Sequence, residues 1–566
     1  MAKKPSAYIS SLTFSSGQEV SLGQRDKVVL VGPNNSGKSQ SLREITIGSD
    51  RGDFGQNVVI KNMAISKDGT SHDLRRFLEE NADFVEHHYR YGSWALYEGS
   101  IESWDTGFLR NELRQGFIKN IAANDRLRIC DQQESISPDE QKTKPQHILY
   151  DDDELMRKVT ALFRKAFSKD IMFDFRGGKK LPIHVGELPG PHVSVDRISN
   201  EYANAVRANP LLDKQGDGIK SYAGILFEAV VDNLDVTMID EPEAFLHPPQ
   251  MRRLGQTLAE EVNGQLIVAT HSSDILRGFL EGTKGSIRVM RISRAGNFNY
   301  IAEAPPSTIQ ELWEKPELRY SNALDSIFHE QVIICEDDSD CRLINSVADH
   351  LETLDAGPWQ DTAYVPAGGK HGIPKLASVL RQIGVPVKAV FDIDFLSEQD
   401  LVKRTIEAFG GTWSDFEEIW RRVDSAVRDG IKPKSKDEIK RDILSLLSSC
   451  QSDELPKGDI TSLMKQDKPW SMVKRFGSVA IPKGDAQSYY NDLTSSLESI
   501  GIFVVPVGEA ENFCPHLGLH GPKFVMKLLS EVPMGDEKLA SLRNFVQKVH
   551  KGSHGLQAKI KELEQV

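Results

Sequence analysis

Apolar positions in this chain fall into short runs separated by longer amphipathic stretches. Ala7–Phe14 and Lys27–Val31 read as strands. Val236-Thr-Met-Ile runs into the acid pair Asp240-Glu241, and Leu266-Ile-Val-Ala runs into Thr270-His271-Ser272. Runs that are apolar throughout suit strands buried on both faces of a parallel sheet. Between them, Asp151–Phe167 has acids first, bases later and apolar residues at helical spacing, which predicts an amphipathic helix. Tyr222–Val231 reads as helical, and a further helix opens at Gln40.

The pattern restarts near Gln331. Gln331–Cys335, Thr362–Val365 and Val387–Phe391 read as strands, and Asp338–Leu351 and Pro374–Ile383 as the helices between them. Strands alternating with helices predict a parallel sheet with crossover connections. Residues 398–475 are charged and helical and read as an insertion, after which strand character returns at Ser478–Ile481 and Gly501–Val507. The expectation is an α/β chain of two domains. Residues 1–328 form the first, with an inserted helical, dimerising region at about 60–190, and residues 329–566 form the second.

Composition adds limits. A chain of 566 residues exceeds one hydrophobic core, so about two to four domains are expected. No run approaches the roughly 18 apolar residues of a membrane helix, and Met1-Ala-Lys-Lys-Pro has no apolar segment behind it, so neither a membrane anchor nor a secretory signal is expected. Five scattered cysteines without a CxxC pair point to neither a disulfide framework nor a zinc cluster, and a reducing cytoplasm suits them. The net charge of −13 argues against binding nucleic acid by bulk charge; contacts would use local patches or bound cations.

Candidate chemistry comes in two groups. Gly32-Pro-Asn34-Asn35-Ser36-Gly37-Lys38-Ser39 matches G-x-x-x-x-G-K-[ST] in full, follows a strand and precedes the helix at Gln40. Such a loop wraps phosphates with backbone N–H groups and the helix N-terminus, which makes ATP the expected ligand. Lys38 would reach the β- and γ-phosphates, and Ser39 and Asp240 would hold Mg²⁺. Glu241 would polarise the attacking water. In the second group, Glu336 and Asp340 follow one strand and Asp392 and Asp394 follow another. Carboxylates gathered at one edge of a parallel sheet repel one another unless a divalent cation intervenes, and oxygen-only ligation favours Mg²⁺ or Mn²⁺.

These motifs carry a resemblance. The string DEPEAFLHP at Asp240–Pro248 resembles the second nucleotide motif of ABC ATPases of the SMC, RecF and OLD (overcoming lysogenization defect) kind. In those families a histidine placed like His271 contacts the γ-phosphate, and a partner's signature turn caps the nucleotide across a dimer. Asp213–Ser221 resembles a degenerate signature, with Gly216, Gly218 and Ser221 as capping candidates, which implies a homodimer or higher assembly. Glu336, Asp340 and Asp392-x-Asp394 resemble a TOPRIM domain, and an ABC ATPase followed by TOPRIM is the order of OLD nucleases. The resemblance implies further metal ligands at Glu509 and Glu511, with Glu511 preferred, and a late lysine, Lys548 or Lys551, that stabilises transition-state charge; either lysine also suits a solvated helix face. Gly368-Gly369-Lys370 ends the second strand, where it could meet a scissile phosphate or simply make a tight turn. The implied protein is an ATP-regulated, metal-dependent DNA endonuclease of bacterial anti-phage defence, as in Gabija or retron effectors. In a retron its partners would be a reverse transcriptase and its RNA–DNA product. The alternative is a RecF- or SMC-like DNA-binding clamp without nuclease activity.

Overall fold

The computed structural model describes residues 2–110, 112–137, 140–187, 196–315, 323–354, 359–430, 435–449, 455–464 and 468–555. The chain divides into two compact units, Met1–Phe328 and His329–Val566.

In the first unit, β1 (Ser6–Phe14) lies between β2 (Glu19–Ser21) and β4 (Ile60–Asp68) in an antiparallel sheet whose alternating burial shows one packed face. The main sheet has six strands. Its centre is β3 (Lys27–Val31), which leads through the glycine loop into α1 (Lys38–Arg51). Outward on one side follow β7 (Gln265–Ala269), β6 (Val236–Asp240) and β5 (Ile118–Ile121), all parallel. On the other side β8 (Arg288–Ala295) is parallel to β3, and β9 (Phe298–Glu303) closes the edge antiparallel. The apolar runs of β3, β6 and β7 are buried nearly throughout, as continuous hydrophobic strands require. Parallel pairing puts the C-terminal ends of β3, β6 and β7 on one edge, so the glycine loop, Asp240 and His271 meet there.

The segment between β4 and β6 is only partly helical. It holds a three-stranded meander at 83–97 and α2 (Asp153–Phe167), whose first turn is capped by the Asp152 side chain accepting from the backbone of Glu154 and Leu155. Further on, α3 (Asp217–Ile225) passes into a π-helical turn, Leu226–Val231.

The second unit is built on a four-stranded parallel sheet in the order β11 (Thr362–Pro366), β10 (Gln331–Cys335), β12 (Val387–Phe391), β13 (Ile502–Val504). α4 (Asp338–Leu354) follows β10, and α5 (Ile373–Gln382) follows β11. The insertion after β12 is helical, ending in α6 (Pro469–Phe476). The expected strand at Ser478–Ile481 is instead a 3-10 turn, Gly477–Ala480. Gly477 takes φ 73°, Val479 is 81% exposed, and Ser478 donates to Pro506 in a single backbone bond, so no ladder forms. α7 (Ala540–Lys551) packs apolar residues, Val546 and Val549 among them, against the same core as α4. Among the described residues, no helix is long and apolar enough to cross a membrane.

Candidate functional site

The nucleotide loop closes on two glycines with positive φ, Gly32 at 136° and Gly37 at 102°. A Cβ at Gly32 would stand 2.2 Å from the Ile292 carbonyl oxygen, so no other residue fits without moving β8. The Lys38 ammonium donates to the Gly32 and Pro33 carbonyls at 2.7 and 2.8 Å, and burial lowers its pKa to about 8. Asn34, Asn35, Ser36, Gly37, Lys38, Ser39 and Gln40 line one side of a cleft of about 770 Å³, and Glu241, His271 and Arg294 line another. That volume suits a nucleotide-sized ligand.

Asp240 ends β6. Burial raises its carboxyl pKa, and a hydrogen bond with Ser39 opposes that shift. Its Oδ1 is buried and, among the described residues, has no hydrogen-bond partner. An orphaned carboxylate oxygen beside a hydroxyl is a donor set that fits Mg²⁺. Glu241 turns off the strand at φ 46°, its N–H bonded to Ala269 O at 2.9 Å. Burial, with the Lys38 charge, lowers the His271 pKa to about 4, which keeps the ring neutral near pH 7.

Two residues not singled out from sequence brace this edge. Glu243 accepts from the Thr270 hydroxyl at 2.8 Å and from the His271 N–H at 2.6 Å, tying the β6 and β7 turns together. Arg126, fully buried, donates to the carbonyls of Asp240 and Glu241 at 3.2 and 2.7 Å. The DEPEAFLHP string contained the first, whereas nothing local marked the second.

The signature candidates separate. Gly216 is exposed and caps the N-terminus of α3. At Gly218 a Cβ would meet the Phe245 carbonyl oxygen at 2.6 Å, so this glycine serves close packing. Ser221 is fully buried, and its hydroxyl donates to Ala244 O at 3.1 Å.

In the second unit, Glu336, Asp392 and Asp394 come together. One oxygen of each lies within 4.8 Å of the others, and the Asp392 N–H donates to Glu336 Oε1 at 3.2 Å. Burial raises all the shifted acids here, Asp392 to about 8 and Asp340 to about 7, and neighbouring carboxylates add to the effect. Convergent, oxygen-only and electrostatically strained, the trio fits a divalent cation.

Two lysines face it. Lys474, on α6, stands 3.0 Å from Asp392 Oδ2 and 3.3 Å from Asp394 Oδ1. Lys370 stands 3.1 Å from Asp394 Oδ2 and 2.8 Å from Glu398. Burial would lower the Lys474 pKa, but Asp392 and Asp394 outweigh it and hold the ammonium firmly charged. Gly368 and Gly369 turn with φ 71° and 109°, and the Gly369 N–H donates to Glu336 O at 2.7 Å, which seats Lys370 above β10.

Glu509 and Glu511 flank the trio without joining it. Glu511 accepts from the Gly521 N–H at 2.6 Å, and Glu509 lies 3.7 Å from His520. Lys548 is corrected: it pairs with Glu498, just before β13, at the opposite end of the sheet from the carboxylates. Lys551 lies over the Trp359 ring. Of the two lysines at the site, Lys474 comes from an insertion whose sequence reads only as charged helix.

Comparison with known proteins agrees with both halves. The family described as "AAA domain, putative AbiEii toxin, Type IV TA system" matches residues 27–277, and that described as "Overcoming lysogenization defect protein-like, TOPRIM domain" matches residues 327–394. The Old nuclease of Escherichia phage P2 is 25% identical over 167 residues, 28% of this chain and 28% of that protein. In both halves the chain is similar to OLD-type proteins, an AAA-type ATPase domain followed by an OLD-like TOPRIM domain. The aligned part spans little more than a quarter of that OLD relative. Among solved structures, the SMC head domain from Thermotoga maritima is 12% identical, covering 54% of this chain and 100% of that one at TM-score 0.29. A Pyrococcus furiosus Smc head bound to the C-terminal domain of ScpA is 11% identical, covering 55% and 100% at 0.34.

Proposed function

We propose that this protein is an ATP-regulated, divalent-metal-dependent DNA endonuclease of the OLD type, acting in the bacterial cytoplasm in anti-phage defence. The observation that supports it most is the convergence of Glu336, Asp392 and Asp394 under two lysines, in a chain that also carries a full nucleotide-binding loop. Mg²⁺ or Mn²⁺ bound there would supply charge neutralisation and a polarised water for phosphodiester hydrolysis. Glu336, Asp392 and Asp394 hold the ion, and Asp340, Glu509 and Glu511 shape the surrounding field. Lys474 and Lys370 offset charge on the phosphate, so the role that the resemblance gives a late lysine falls to Lys474.

In the first unit, Lys38 and the loop backbone bind the phosphates, and Ser39 and Asp240 hold Mg²⁺. Glu241 orients the water, and neutral His271 donates a hydrogen bond without adding charge. Gly216 and the N-terminus of α3 offer a surface that caps the nucleotide of a second copy. The defence role, and a reverse transcriptase with its RNA–DNA product as partner, follow from the family resemblance.

The test is supercoiled plasmid incubated with Mn²⁺ or Mg²⁺. Glu336→Gln should abolish cutting and leave ATP hydrolysis intact. Equal cutting by wild type and Glu336→Gln would sink the assignment, and intact ATPase without cutting in any condition would favour a clamp.

A further inference from the structure

The segment between β4 and β6 holds a second cleft, separate from both sites above. It is a cavity of about 280 Å³ between α2, the strand Asp170–Phe173 with the following Phe175, and the pair Arg197 and Tyr202. That is near the lower end of ligand cavities. Met156, Ile171 and Phe173 form a buried apolar floor. Phe175 and Tyr202 stand half-buried at the wall, ring centroids 6.3 Å apart, with Tyr150 packed behind Phe175 at 4.9 Å.

The rim is positive. Arg157, Arg164 and Arg197 line the cleft, and among the described residues no carboxylate does. Asp153 pairs with Arg197, and Asp170 pairs with Arg164 at 2.5 Å. Arg157 donates to the Asp153 carbonyl of its own helix at 3.1 Å and, among the described residues, has no carboxylate partner. The basic cluster of α2 therefore splits by function. Lys158 turns away to Glu261, while Arg157 and Arg164 face the cleft. The Arg157 guanidinium, left without a carboxylate among the described residues in a chain of net charge −13, points to an anionic ligand.

Aromatic walls, an apolar floor and rim guanidinium groups match one kind of ligand: a flat ring carrying a phosphate. Bases stack on aromatic side chains without regard to sequence, and guanidinium groups bind phosphate oxygens through paired donors. The cleft has room for one base and lacks the glycine loop that wraps a polyphosphate. We propose that it binds a single nucleotide unit, its base against Phe175 and Tyr202 and its phosphate against Arg157 and Arg164. The unit is either a free mononucleotide or one residue of a single strand. The proposal stands independently of the nuclease assignment.

The test uses the full chain carrying Lys38→Ala, which removes nucleotide binding at the glycine loop, in EDTA to prevent cutting. The probes are a short fluorescein-labelled oligothymidylate and free thymidine monophosphate, followed by binding titration and by ultraviolet cross-linking with mass spectrometry. The expected result is a cross-link on the peptide holding Phe175 or Tyr202, and binding weakened about tenfold or more by Arg157→Glu. Arg157 is exposed, so this variant keeps its fold; Tyr202→Leu, which keeps the apolar bulk, should lose the cross-link as well. Cleft cross-linking by the monophosphate identifies the ligand as a free nucleotide, and cross-linking by the oligomer alone identifies it as a strand. Affinity unchanged in Arg157→Glu, or no cross-link in the cleft with either probe, overturns the proposal.

Discussion

Lys474 and Lys548 look alike in sequence, each a lysine in the last turn of a helix, yet they stand at opposite ends of one sheet. The difference is geometric. α6 carries Lys474 to the C-terminal ends of β10 and β12, whereas α7 carries Lys548 to the strand starts. Lys474→Met is expected to lower DNA cleavage about 100- to 1,000-fold, as loss of a group that stabilises transition-state charge does. Lys548→Met should leave cleavage unchanged; the two variants compared on one plasmid substrate check this. Spacing could not rank them, because nothing in residues 398–475 announces that their last helix returns to the carboxylates Glu336, Asp392 and Asp394. The acids were legible because each follows an apolar strand, which fixes its position on the sheet edge.

His550 allows a pH test. Burial, with the Lys388 charge beside it, lowers its pKa from 6.5 to about 4, and Nε2 lies 2.9 Å from the Tyr364 hydroxyl. Between those values the unfolded chain takes up a proton that the folded chain refuses. Its stabilising contribution is therefore complete above pH 6.5 and declines as pH falls toward 4. Thermal unfolding at pH 7.5 and pH 5 should show wild type losing on the order of 2 kcal/mol more than His550→Gln. Equal losses in the two proteins would remove His550 as the cause.

At the level of elements, the strands that carry chemistry were readable and the connectors were not. Lys27–Val31, Gln331–Cys335 and Val387–Phe391 were placed by their apolar runs, since burial on both faces leaves few alternatives. Ser478–Ile481 is as short and as apolar, but Gly477 and the bond to Pro506 make it a turn. Length alone does not separate such cases. The same neighbourhood couples α6 to the acidic loop. Gly508 has φ 105°, and a Cβ there would lie 1.9 Å from Lys474 O, while the Asn512 amide donates to that same carbonyl. Gly508→Ala should push α6 outward and cost about 10- to 100-fold in cleavage, as loss of a ligand-orienting contact does. ATP hydrolysis in the same preparation should be unchanged, and an equal fall in both activities would mean general misfolding instead.

For the whole molecule, sequence order made the pairing of two sites visible, a glycine loop and paired acids in the first unit and strand-end carboxylates in the second. The role of the segment between β4 and β6 was not visible, because its cleft is assembled from residues 156 to 202 and no short motif spans them. The proposal that the ATPase governs the nuclease is tested at this scale. The direct check is cleavage of supercoiled plasmid by purified protein with Mn²⁺, with and without ATP, beside Asp392→Ala and Lys38→Ala. The account predicts metal-dependent cutting that Asp392→Ala abolishes, and an ATP effect that Lys38→Ala erases. Cutting that survives Asp392→Ala would contradict it.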